Sequence, residues 1–166
     1  GKTVLESLKE NDYDVIAVGK INDIFNGVGI TKAIKTKNND NGMDVSIDLL
    51  NEDFKGLCFV NLVDFDALYG HRRDALGYAE CVERFDKKIN LFLEGLKDDD
   101  LLIITADHGN DPIHTGTDHT RENVPLIAYS KSIKTPTNLG TRQSFSDIAC
   151  TIAENFNIEK PYIGKS

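Results

Sequence analysis

Apolar residues in this chain come in short runs separated by polar and charged stretches, and the spacing inside each run predicts its element. Val4, Leu5 and Leu8 fall on one face of a helix over residues 3–10, with Thr3 and Glu6 in a capping-box pattern and Asn11 closing it. YDVIAV, Tyr13 to Val18, is apolar enough for a strand covered on both faces, and LCFVNLV, Leu57 to Val63, reads the same way. Residues 23–42 are polar and predict a loop; Met43 to Phe54 drifts from alternation to helical spacing and predicts a helix. Leu76, Ala79, Val82, Phe85, Ile89, Phe92, Leu93 and Leu96 mark the longest helix, over 74–96, with one stripe facing a sheet. Asp98 to Asp100 then make a solvated turn. Leu101 to Thr105 and Pro125 to Tyr129 predict two more strands, and Ser144 to Phe156 a last helix with Phe145, Ile148, Ile152 and Phe156 on its buried face.

Strands near 13, 57, 101 and 125 alternating with helices imply an α/β fold, a mostly parallel sheet sandwiched by helices. With 166 residues, one core is expected and no second. Composition adds exclusions. Nothing approaches the roughly 18 consecutive apolar residues of a membrane span, and a net charge of -8 without a basic stripe argues against nucleic acid as a partner. Cys58, Cys81 and Cys150 are odd in number, far apart and set among apolar neighbours, so they read as reduced core thiols of a cytoplasmic protein. The chain opens Gly1-Lys2-Thr3 without an initiator Met and reads as a piece of something longer.

The chemistry gathers where strands end. After Leu101 to Thr105 comes a loop holding Asp107, His108, Asp111, His114, Asp118 and His119, with Gly109, Pro112 and Gly116 to turn the backbone. After Leu57 to Val63 come Asp64, Asp66 and, five residues beyond Asp66, His71. Carboxylates and imidazoles at two strand termini are the donor set of a divalent cation. The set contains no thiolate, which suits manganese and leaves zinc open. Arg72 and Arg73 offer either a phosphate contact or ion pairing with Asp74, and their place at a helix start favours the pairing. Lys20, where the first strand ends, is a candidate phosphate contact; the alternative is a solvated lysine. GVG at Gly27 to Gly29 does not extend into a nucleotide fingerprint.

TADHGN followed by GTDHTRENVPL resembles the metal-binding signature of the alkaline phosphatase superfamily, and NLVDFDALYGHRRD resembles its phosphopentomutase family in particular. The resemblance covers essentially the whole chain. It implies an alkaline-phosphatase-like core and two Mn2+ ions in the complete site, one on Asp66, His71 and His119, the other on Asp107 and His108. It implies exchange of ribose or deoxyribose 1-phosphate with the 5-phosphate through a phosphothreonine, with pentose phosphates as the small-molecule partners. No segment here matches the family's nucleophilic threonine, so Thr105, Thr115, Thr117 and Thr120 are not assigned that role, and His114 reads as an exposed loop residue. Residues 1–166 are thus expected to be the carboxyl-terminal portion of the catalytic core, without its N-terminal segment and cap, and inactive alone. A phosphohydrolase or a cofactor-independent phosphoglycerate mutase of the same superfamily, and a metal-binding module without catalysis, are the alternatives.

Overall fold

The computed structural model describes all residues, Gly1 to Ser166, and the chain divides into two compact units. The first comprises Gly1–Thr36, Glu52–Asn61 and Thr137–Ser166; the second comprises Lys37–Asn51 and Leu62–Pro136. The chain leaves the first unit at Thr36 and again at Asn61 and returns to it each time.

In the first unit β1, Asp14–Val18, lies in the middle of a parallel sheet between β2, Lys32–Ile34, and β3, Gly56–Val60. Its residues Val15 to Val18 are all buried, which is why their run shows no polar alternation. Helices α1, Val4–Glu10, α2, Ile21–Ile24, and α5, Ser146–Asn155, flank the sheet. Leu5, Leu8, Val15, Ala17, Ile21 and Ile30 form the core, with Tyr13 and Phe156 packed against it, their ring centroids 4.7 Å apart and their planes tilted by 58°. The capping box is present: the Thr3 hydroxyl accepts from Glu6 N at 3.3 Å and the Glu6 carboxylate accepts from Thr3 N at 2.8 Å.

The short strand β2 falls inside the stretch read as a loop. Its three residues are mostly exposed and lie at a sheet edge, so no apolar pattern announces it. Tertiary pairing with Ile16 to Val18 creates it, and the Thr31 hydroxyl, accepting from Val15 N at 2.8 Å, starts the ladder.

In the second unit α3, Asn39–Leu49, begins earlier than its apolar spacing predicts, because Asn38 caps it by accepting from Asn41 N at 2.8 Å. The asparagine-rich run is the capped first turn. A π-helical turn, Phe65–Gly70, then leads into α4, Ala75–Gly95, whose first turn is capped by Asp74 accepting from Gly77 N at 2.9 Å. Helix α4 packs on α3 and on the π turn, where Phe65 meets the rings of Tyr78 and Phe85 at 5.6 and 6.3 Å. Only part of its predicted stripe is covered: Leu76 is 72% exposed and Val82 44%.

Strands β4, Leu102–Thr105, and β5, Leu126–Tyr129, do not extend the parallel sheet. They pair antiparallel with each other, Leu102 opposite Tyr129 and Thr105 opposite Leu126. No crossover helix separates them, and a bridge between Gly109 and Thr120 carries the same antiparallel pairing into the loop. No helix is long and apolar enough to cross a membrane.

All three cysteines are free, with Cys81 and Cys150 buried and Cys58 half-buried in β3. Burial pushes the Cys58 thiol up to about 11, against a small opposing pull from Lys32. Since the thiolate is the nucleophile, alkylation of Cys58 by iodoacetamide at pH 8 should run at least about tenfold slower in the native chain than in urea. Equal rates, resolved by peptide mass mapping, would show that the site is not shielded.

Candidate metal centre

Asp66 and His71 come from the π turn and its end, while Asp107, His108 and His119 come from the two limbs of the long β4–β5 loop; all five lie in the second unit. The π turn is set in place from behind. Asn39, at the start of α3, and Asp64, just before the turn, bond reciprocally: Asn39 N donates to the Asp64 carboxylate at 2.8 Å and Asp64 N to Asn39 Oδ1 at 2.9 Å. Asp64, named in the sequence among the strand-end carboxylates, is thereby tied to Asn39 rather than to the imidazoles.

Asp66 Oδ1 lies 3.4 Å from His71 Nε2 and 3.3 Å from His119 Nε2, and those two imidazole nitrogens are 3.1 Å apart. The ring of His108 stacks on that of His119 at 3.6 Å and 19°. Donor atoms of Asp66, His108 and His119 all fall within 4.8 Å of one another. Asp107 is the outlying member, its carboxylate 3.6 Å from His108 Nε2 and its side chain 79% exposed.

The imidazole hydrogen bonds fit a cation. His71 Nδ1 bonds the Thr117 carbonyl at 2.5 Å and His108 Nδ1 the Gly109 carbonyl at 3.1 Å. A carbonyl only accepts, so each Nδ1 carries a proton, and it is Nε2 that is turned toward the cluster. His71 Nε2 and His119 Nε2, 3.1 Å apart beside the Asp66 carboxylate, converge as donor atoms around one cation would. Backbone carbonyls fixing the far nitrogen are also the usual outer support of metal-binding histidines. The residues present therefore fit a divalent ion.

A chain with this carboxylate–imidazole cluster can be placed among known proteins. The family model for the Metalloenzyme superfamily matches residues 2–160. The chain belongs to that superfamily. Membership implies divalent-metal binding, and the Asp66, His108 and His119 cluster is where this member gathers suitable donors. Among solved structures the chain is similar to the PH0037 protein from Pyrococcus horikoshii, with a TM-score of 0.62 and 20% identity over 78% of this chain. The match takes in 35% of that protein, so this chain spans about a third of its length. At that identity the likeness concerns the fold.

Other residues weighed in the sequence fall out as follows. Lys20 is exposed at the start of α2, in the first unit rather than among the five. His114 is exposed, and its N–H closes a turn onto the Asp111 carbonyl at 3.2 Å. Thr120 is used structurally, its hydroxyl accepting from Asp111 N at 2.7 Å and donating to Glu122.

The pairing of Arg73 with Asp74 is not found. Asp74 is turned to the α4 N-terminus, and Arg73, at a positive φ of 54°, throws its guanidinium the other way onto the ligand loop. It donates to the carbonyls of Gly70 at 3.1 Å, Asp111 at 2.6 Å, Gly116 at 2.5 Å and Asp118 at 2.6 Å, and to Asn110 Oδ1 at 2.7 Å. All of these acceptors except Gly70 lie at least 37 residues along the chain, too far to show in a local reading.

Gly70 is the close-packed point of the centre. A Cβ there would lie 2.5 Å from Asn110 Nδ2 and 3.1 Å from the Phe65 carbonyl. Gly70→Ala should cost about 1–3 kcal/mol as an overpacked contact, read as a lowered urea midpoint. An unchanged midpoint would mean that the Asn110 side chain yields freely.

Proposed function

We propose that this chain is the metal-binding part of a phosphotransferase catalytic core, and specifically of a phosphopentomutase. The observation that carries the metal reading is the convergence of Asp66 and His119 within 3.3 Å, with His71 and His108 on either side. The VDFDALYGHRRD stretch, which resembles the phosphopentomutase family, favours pentose phosphates over phosphoglycerates as substrates.

In this reading Asp66, His71 and His119 hold one ion, and Asp107 and His108 contribute to a second whose remaining ligands come from elsewhere in the full enzyme. The ions, manganese by preference, supply the positive charge that draws in a phosphate ester and stabilises charge developing on its oxygens. The chain's own part is orientation. His71 and His108 are held in the tautomer that presents Nε2, and Asp66 supplies charge to both imidazoles it faces. The phosphoryl group would pass by way of a threonine outside this chain, first to the pentose phosphate and then back from its other end. Lys20 as a phosphate contact belongs to the same reading.

Mutase activity is tested with ribose 1-phosphate, manganese and a sugar bisphosphate activator. The chain alone, folded by circular dichroism, should show no turnover, and the full-length enzyme should be active and should lose activity with Asp66→Ala. Turnover by the chain alone would mean that it holds the nucleophile. A full-length enzyme that prefers phosphoglycerates or aryl phosphates over pentose phosphates would overturn the substrate assignment.

A further inference from the structure

Asp66 faces two imidazoles with one oxygen, Oδ1, and that same oxygen accepts a hydrogen bond from Asn110 Nδ2 at 2.6 Å. Asn110 has its own amide oriented from behind, since its Oδ1 accepts from Arg73 Nη1 at 2.7 Å. An asparagine amide can be flipped; here the arginine, which can only donate, fixes which end is oxygen, and the carboxylate, which can only accept, fixes which end is nitrogen. Arg73 is in turn anchored by the carbonyls of Gly70, Asp111, Gly116 and Asp118, on both sides of the centre. Gly70 leaves the space that Asn110 fills.

We propose that Arg73 and Asn110 form a positioning relay that aims the Asp66 carboxylate at the ion and so sets the affinity of the Asp66, His71 and His119 site. The inference rests on the reading of those three residues as ligands. Without the relay the carboxylate could rotate onto either imidazole or out to solvent, since about a third of its side-chain surface is exposed, at 34%. The left-handed backbone of Arg73 supports the assignment. A bulky residue persists in that region only where its surroundings over-determine it, and such residues gather at functional sites. A lysine could supply the charge but not the fork that reaches four carbonyls and an amide at once.

The relay separates two effects that a merely structural arginine would merge. Asn110→Ala removes the link to Asp66 and leaves the four carbonyl bonds of Arg73 in place. In the present chain, free Mn2+ counted by electron spin resonance should show affinity lowered about 10- to 100-fold by Asn110→Ala. Amide exchange at Thr120, whose N–H bonds the Gly109 carbonyl, should stay as in the unaltered chain. Arg73→Ala should lower both the affinity and the Thr120 protection, and Arg73→Lys should restore neither. The double variant should bind no more weakly than Arg73→Ala, because both changes cut one chain of bonds.

Unchanged Mn2+ affinity in Asn110→Ala would overturn the relay, and so would effects of the two single changes that multiply in full. Loss of Thr120 protection in Asn110→Ala would also overturn it, as general loosening. If the unaltered chain binds no Mn2+ at all, the ligand reading itself fails and the relay with it. Should Arg73→Ala not fold, Asn110→Ala alone decides.

Discussion

Asp66→Asn should abolish measurable divalent-metal binding by this chain while leaving it folded. The substitution keeps the shape of the side chain and deletes the one carboxylate that lies within 3.4 Å of both His71 and His119. A unit charge acting on a monovalent partner at about 4 Å is worth ~4 kcal/mol at an effective dielectric of ~20. A divalent ion at bonding distance loses no less, even after discounting for the partial exposure of the site, so affinity should fall at least about 100-fold. Titration calorimetry with Mn2+ reads the loss. Asp107→Asn should do far less, because its carboxylate is 79% exposed and touches only His108. Equal losses for the two variants would mean that the ion sits nearer the β4 end than the Asp66 end. Two tight manganese sites in the unaltered chain would refute the expectation that half of the second site lies elsewhere.

Gly56→Ala should be the most damaging single methyl in the first unit. A Cβ at this position would lie 1.9 Å from the Asp14 carbonyl oxygen and 2.7 Å from Asp14 N, backbone atoms that cannot swing aside. Gly56 pairs with Asp14 in the parallel β1–β3 ladder, so room for a methyl comes only from parting the strands at their first rung. Overpacking typically costs 1–3 kcal/mol and rises further where the backbone must move, and the loss here should be about 3 kcal/mol or more. Urea unfolding followed by circular dichroism gives the difference directly. A midpoint within error of the unaltered chain would show that the start of β3 is loosely held.

The two expectations differ in how far the sequence foretells them. Asp66 stands out in the sequence because carboxylate and imidazole at one strand terminus, then again at a second, are rare without a cation. Gly56 does not, since nothing local distinguishes it from any glycine before a strand. Its requirement is set by Asp14, far away in sequence.

The sequence by itself determined the buried strand β1, whose unbroken apolar run needs cover on both faces, the capped α1, the long α4 and the closing α5. In each the hydrophobic period or a cap is written into neighbouring residues. Residue type also pointed to carboxylates and imidazoles at two strand ends, among them Asp66, His108 and His119, whose donor atoms the fold brings within 4.8 Å of one another. Tertiary structure alone decided the rest. β2 exists because β1 offers it a ladder, and β4 and β5 pair with each other rather than joining the parallel sheet, because pairing energy depends on which strand arrives alongside. The part of α4 that stays open, at Leu76 and Val82, depends on α3 and the π turn having taken the other face. Arg73 was read as the neighbour of Asp74 and serves instead as the fastener of a loop some forty residues on, because a guanidinium satisfies whatever carbonyls the fold brings to it, and their arrival is a long-range event that no local pattern records.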